Sequence, residues 1–118
     1  MYTVGIWNKG PSSKVNGITI PGVLTWIKDI NDVDIQPYNK SLAMKNYGYD
    51  IECNRRLYID NFDSVINIGT ILRYTDGYGK VINLSVKAIP WDDGYIEIIC
   101  LEVAIWLLKV IKMQYYML

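Results

Sequence analysis

Between residues 70 and 86 two runs of β-branched and apolar residues face each other across Thr75-Asp76-Gly77-Tyr78-Gly79. No other feature constrains the fold as tightly. Asp-Gly predicts a tight hairpin turn, because both residues tolerate the positive φ that such turns require. Residues 70–74 then form one strand and residues 80–86 its antiparallel return.

Similar runs recur along the chain. Residues 2–7 alternate loosely and lead into Asn8-Lys9-Gly10-Pro11-Ser12-Ser13, a flexible loop by composition. Residues 18–30 are rich in β-branched and aromatic side chains but are broken by Pro21-Gly22. That pattern predicts a kinked edge strand, or a loop, leading into a strand over residues 23–27. Asp32-Val33-Asp34-Ile35-Gln36-Pro37 alternates polar with apolar, the signature of a half-buried strand, and Pro37 ends it. Strand character returns over residues 49–60, with Tyr49, Ile51 and Cys53 on one face, and Arg55-Arg56 predicts a bulge or register change. Residues 62–68 start as a turn. Trp91-Asp92-Asp93-Gly94 is another turn, and residues 95–103 are a final strand with few polar interruptions, which predicts cover on both faces.

One internal segment breaks this rhythm. Tyr38, Asn39, Lys40, Ser41, Leu42, Ala43, Met44, Lys45, Asn46, Tyr47 and Gly48 show no alternation, and only Ser41 to Lys45 is helix-capable. The reading is a long, polar, partly helical loop between two strands. In so small a domain it is either a functional loop or a surface excursion without a task.

Residues 104–118 differ again. Trp106, Val110, Met113 and Met117 recur at three- and four-residue spacing, with Lys109 and Lys112 on another face. This predicts an amphipathic helix of about four turns, ~22 Å long. Its apolar face, with Trp106, Leu107, Val110, Ile111 and Met113, either packs on its own barrel, docks on a neighbouring subunit or lies on a membrane surface. It lacks the many basic residues that lipid binding favours. The fold class is therefore all-β: a small β-barrel or sandwich with a long inter-strand loop and a C-terminal helix. All 118 residues form a single domain, the barrel over 1–103 and the apolar helix over 104–118.

Composition excludes several function classes. The chain has no histidine, which removes the commonest general base and transition-metal ligand and every catalytic pair built on one. It has neither a GxGxxG run nor a GxxxxGK[ST] loop to cradle phosphate. Asp92 and Asp93 could form an acid/base pair only if both faced one site, whereas a WDDG sequence reads as a solvated turn. Neither an enzyme nor a cofactor is expected. Cys53 and Cys100 lie in apolar runs without CxxC spacing, read as buried thiols with a disulfide or metal role as the alternatives. Twelve basic residues balance twelve acidic ones, so the total charge gives no footprint for nucleic acid. No stretch approaches the ~20 apolar residues of a membrane span, nor does the N-terminus read as a signal peptide.

From residue 33 to residue 103 the order of motifs resembles the head-closure (stopper, or head–tail connector) proteins of tailed phages. The residues that carry the likeness are Asp34-Ile35-Gln36-Pro37, Tyr47-Gly48-Tyr49, Arg56-Leu57-Tyr58-Ile59-Asp60, Ile68-Gly69-Thr70-Ile71-Leu72-Arg73-Tyr74, Gly79-Lys80-Val81-Ile82-Asn83-Leu84, Ile89-Pro90-Trp91 and Tyr95-Ile96-Glu97-Ile98. The family ends soon after its last strand, whereas this chain continues into an apolar segment, and residues 8–30 match nothing in it. The resemblance implies a virion structural protein of the neck, assembled in the host bacterial cytoplasm. It would form a ring with copies of itself, a hexamer in the usual case, below the portal or adaptor ring and above the tail terminator or tail tube. Residues 38–48 would project into the lumen as a channel loop facing packaged DNA, with Lys40 and Lys45 toward phosphates. Apart from the resemblance, the apolar character of the added tail makes Trp106, Leu107, Val110, Ile111 and Met113 the candidate subunit interface.

Two other functions are open to the sequence. One is a collar or tail-end protein of a headless contractile particle. The other is a small-barrel nucleic-acid-binding protein, for which ten tyrosines and four tryptophans could provide stacking platforms. That reading needs aromatics clustered on one exposed face with basic residues between them.

Overall fold

A computed structural model of the chain describes residues 1–20, 22–60, 63–90 and 96–103. Six antiparallel strands close into a barrel in the order β1-β4-β5-β8-β7-β6. These are β1 (Tyr2–Lys9), β4 (Leu24–Pro37), β5 (Arg55–Ile59), β6 (Ile71–Thr75), β7 (Val81–Ala88) and β8 (Ile96–Val103). Two short strands, β2 (Ser13–Val15) and β3 (Ile18–Ile20), pair only with each other, and helix α1 (Lys40–Tyr47) links β4 to β5. Between a barrel and a sandwich, the fold is a closed barrel.

Closure depends on β1. It pairs with β4 along its length and with β6 through Gly5↔Arg73, Ile6↔Leu72 and Trp7↔Ile71. Alternate residues then point inward, and Val4, Ile6, Val33, Leu57, Leu72, Leu84, Val86, Ile98 and Cys100 fill the interior with little or no exposure. Ile66 plugs one end. Its segment is tied down where the Asn8 amide donates to the Val65 carbonyl at 2.6 Å and the Thr70 hydroxyl donates to Asn8 Oδ1 at 2.5 Å.

Several sequence expectations change in detail. The strands expected over 23–27 and 32–37 are one strand, β4, bent by irregularities in its pairing with β1. One irregularity surrounds Asp32, whose φ of 57° marks a bulge. The interruption expected at Arg55-Arg56 does not occur, since β5 pairs in unbroken register with both β4 and β8. Residues 49–54 are not a strand. Their alternation instead places Tyr49, Ile51 and Cys53 against the outside of the barrel. The β6–β7 hairpin is present, but its positive φ falls at Gly79 (81°), not at Asp76 or Gly77. Asp76 N–H bonds to the Lys80 carbonyl, and Asp76 Oδ1 accepts from the amides of Tyr78 and Lys80 at 2.9 Å each. The loop is thus three residues closed by a left-handed glycine.

The region first read as a flexible loop is an arm. Gly10 N–H bonds to the Val23 carbonyl at 3.0 Å, and β2 and β3 continue outward to a turn at Asn16 (φ 52°) and Gly17 (φ 78°). Positive φ at both central residues is the type I′ turn that favours Asn-Gly. At the base the two chains nearly touch, and a Cβ on Gly22 would fall 1.8 Å from the Gly10 carbonyl oxygen. The turn expected at residues 91–94, with Asp92 and Asp93, lies outside the described residues. So does the helix expected over 104–118, with Trp106, Leu107, Val110, Ile111 and Met113.

Asn83, on the outer face of β7, is 1% exposed, and neither side-chain polar atom has a hydrogen-bond partner among the described residues. Burying an unpaired amide costs ~1–3 kcal/mol, and an apolar residue of similar shape avoids that cost. Asn83→Val is therefore expected to raise stability by about 1 kcal/mol, read as a higher midpoint in urea at an unchanged m-value.

Candidate functional site

Residues 38–48, expected to be a long, partly helical loop that projects into a lumen, hold the capped helix α1 laid on the barrel wall. The Asn39 side chain caps its start by accepting from the Leu42 amide at 2.8 Å. Gly48, at φ 73°, ends it, and its N–H bonds to the Met44 carbonyl at 2.8 Å. Between the caps Ala43 is fully buried, and together with Tyr38 it packs on Cys53 of the following segment and Ile99 of β8. Both cysteines are free and buried, as read from the sequence. The helix docks because β8 carries apolar side chains on both faces: Ile96, Ile98 and Cys100 point inward, which leaves Ile99 outside beside Glu97.

Glu97 organises this wall. It is 3% exposed, and it accepts a hydrogen bond at Oε2 from the Tyr47 hydroxyl. Arg56, on the neighbouring strand, brings its guanidinium to 3.8 Å from Oε1. The same guanidinium lies over the rings of Tyr38 (5.0 Å) and Tyr58 (5.4 Å), and its Nε donates to Gln36 Oε1 at 3.0 Å. Asn46 donates to the Tyr38 hydroxyl at 2.8 Å, which ties the helix C-terminus to its start. Tyr47 also stacks on Tyr49 at 5.4 Å. A buried carboxylate, one guanidinium and four phenols thus join α1, β4, β5 and β8.

Of the two lysines expected to face phosphate, Lys40 is occupied. It reaches Asp50 at 3.1 Å and Glu52 at 3.4 Å, and these hydrogen bonds, the one to Asp50 foremost, hold its pKa above the usual value. Lys45 is exposed in the last helical turn, and Ser41, Leu42 and Met44 lie on the outward surface. The structure therefore brings Tyr38, Asn46 and Tyr47 into one cluster with Arg56 and Glu97, which the sequence did not single out. The sequence signal for Glu97 was an acid beside Ile96 and Ile98 at the apolar start of β8, whose other acid, Glu102, lies near its end.

Beside this cluster runs a cleft of about 330 Å³ lined by Met1, Asp32, Asp34, Gln36, Arg56, Tyr58 and Asp60. Arg56 already faces Glu97, so the cleft presents its three aspartates outward. Among the described residues no group of His, Cys, Asp and Glu side chains is arranged to hold a metal ion, and no helix is long and apolar enough to cross a membrane. No family model, no curated protein and no solved structure matches the chain.

Two outcomes follow from this wall. Tyr47→Phe leaves the buried Glu97 carboxylate without its hydroxyl donor, so the fold is expected to lose roughly 1–3 kcal/mol in urea titration. Glu97→Gln in the Tyr47→Phe background should recover part of that loss. The second concerns alkali. Burial, and then the bond to Glu97, push the Tyr47 phenol well above its ordinary 10.0, and burial likewise raises the Cys100 thiol above its ordinary 9.0. Each group gives up its proton more readily in the unfolded chain, so its contribution is complete below the unfolded pKa and is lost as pH rises toward the folded one. Stability is expected to hold up to about pH 9 and to decline above it, less steeply in Tyr47→Phe.

Proposed function

We propose that this chain is a structural component of a tailed-phage neck, forming a ring between the portal or adaptor and the tail that closes the head and docks the tail. The observation that carries the reading is the barrel's two-ended design. A helix-bearing insertion between β4 and β5 packs on the outer wall at β8, and a hairpin arm that no described residue covers leaves the end where β1 finishes and β4 begins. The segments that resemble head-closure proteins fall on successive barrel elements. Asp34-Ile35-Gln36-Pro37 ends β4, and the run from Arg56 to Ile59 lies in β5. Ile71-Leu72-Arg73-Tyr74 is β6, the run from Val81 to Leu84 opens β7, and Ile96-Glu97-Ile98 opens β8.

In this reading α1, not an irregular loop, is the element turned toward the lumen. Its exposed residues Ser41, Leu42, Met44 and Lys45 would meet neighbouring copies or packaged DNA. Because Lys40 is neutralised by Asp50 and Glu52, Lys45 is the residue left to contact phosphate. Residues 104–118, through Trp106, Leu107, Val110, Ile111 and Met113, would contribute a further subunit contact. A collar or tail-end role in a headless particle uses the same ring. The small-barrel nucleic-acid reading fits less well, since the cleft is acidic and Arg55 and Arg56 both lie near carboxylates.

The test is made on particles from cells carrying the gene and from cells lacking it. Gold-labelled antibody against the chain is expected at the head–tail junction. Without the gene, heads that have lost their DNA and unattached tails are expected in electron micrographs. Label on headless tubes alone would favour the collar role, and complete particles without the gene would overturn both. A milder effect is expected from Lys45→Ala, namely a partial loss of packaged DNA from heads that lack tails, since one phosphate contact is a small part of retention.

A further inference from the structure

The arm has a face that no described residue covers. Every residue of β2 and β3 is exposed. The pairing Val15↔Ile18 and Ser13↔Ile20 places Val15, Ile18 and Ile20 on one side, and Lys14↔Thr19 on the other. The three apolar residues are 50%, 68% and 44% exposed, and Trp26 beyond the arm's base is 50% exposed. A two-stranded ribbon on its own is marginal in water, so a bare apolar face on one calls for a partner surface.

Charge identifies that partner. All twelve acidic residues lie between Asp29 and Glu102, whereas residues 9–23 contain Lys9 and Lys14 and no acid at all. The cleft on the β4–β5 wall has the opposite character: three aspartates, Asp32, Asp34 and Asp60, outnumber its one side-chain cation, Arg56, which also faces Glu97, and Met1 and Tyr58 add apolar lining. The arm of the same chain does not reach it. From Gly10 to the Asn16-Gly17 turn is ~20 Å, while Asp32 and Asp34 lie ~26 Å and ~33 Å along β4 from Leu24, at ~3.3 Å per residue.

We infer that the β2–β3 arm seats in the acidic cleft of a second copy of this chain, joining copies head to tail. Val15, Ile18 and Ile20 cover the apolar lining, and Lys14 reaches round the ribbon's open edge on its flexible stem to the aspartates. Because arm and cleft are different surfaces, the contact is heterologous: repeated, it closes into a ring or extends as a filament. This deepens the ring reading, yet the contact is decided on the isolated chain, whereas the ring's place in a neck is decided on particles.

The experiment is a charge swap in the full chain, followed by sedimentation and light scattering at low ionic strength. One variant carries Lys9→Glu and Lys14→Glu, the other Asp34→Lys and Asp60→Lys, and circular dichroism melts establish that both are folded. Wild type is expected to form concentration-dependent oligomers that weaken as salt is raised. Each variant alone should show a dissociation constant raised at least ~10-fold, and Ile18→Ser should also weaken association. An equimolar mixture of the two charge variants should recover wild-type assembly, because each arm then finds a cleft of opposite sign. A wild type that stays monomeric at every concentration overturns the contact. So does association that neither variant weakens, or a mixture that fails to recover, and these two results leave a ring built through another surface standing.

Discussion

The pairing of β1 with both β4 and β6 decides what every other part of this molecule is free to do. Once Gly5, Ile6 and Trp7 bond to Arg73, Leu72 and Ile71, the sheet has no edge left. The inner face is then committed to the apolar interior. Whatever else the chain does must happen on the outer wall or beyond the barrel's ends. Open sheets offer their edges to other chains, which natural proteins must block, and closure removes that hazard in one step. The only strands left with open edges among the described residues are β2 and β3, which extend past the point where closure stops.

The outer wall is used where β8 is apolar on both sides. Leaving Ile99 in water would cost ~1.5–3 kcal/mol, and a buried Glu97 with no donor would cost more than a neutral group. Helix α1 resolves both at once, with Ala43 and Tyr38 over Ile99 and the Tyr47 hydroxyl on Glu97. An eight-residue helix is too short to persist by propensity alone. Its stability therefore comes from the wall, and the polar cluster around Arg56 fixes where on the wall it sits. A buried carboxylate is seldom the most stable choice, but it accepts only a donor placed at one position, which sets the helix's register on the barrel.

How far the sequence carried the fold depended on whether the deciding contact was local. The β6–β7 hairpin and the two-sided burial of β8 were legible from turn chemistry and apolar runs. The arm was legible too, because Val15-Asn16-Gly17-Ile18 is an Asn-Gly pair between β-branched residues. The Gly10-Pro11 and Pro21-Gly22 steps on either side drew attention to its breaks instead. β4 was split into two strands because the bulge at Asp32 interrupts its alternation, and a bulge is set by the register of a partner far away in sequence. The helix had both caps written in Asn39 and Gly48. Its docking did not show, since the link from Tyr47 to Glu97 spans most of the barrel's connectivity and leaves only an acid within the apolar start of β8 as its trace.

Net charge is silent in a related way. A total of zero gives no footprint for nucleic acid, yet it is compatible with a local basic arm and a local acidic cleft. An arm that carries Lys9 and Lys14 without an acid, and a cleft that holds three aspartates, can make a neutral chain directional toward its own copies at close range, where screening is incomplete. A closed barrel with a protruding arm gives that asymmetry a geometry. The arm leaves one end, and the acidic cleft lies along β4 beyond its reach. On the proposed contact, the surface that complements the arm would be met on a neighbour and not on itself, and self-complementarity of this offset kind is what a ring of identical subunits requires.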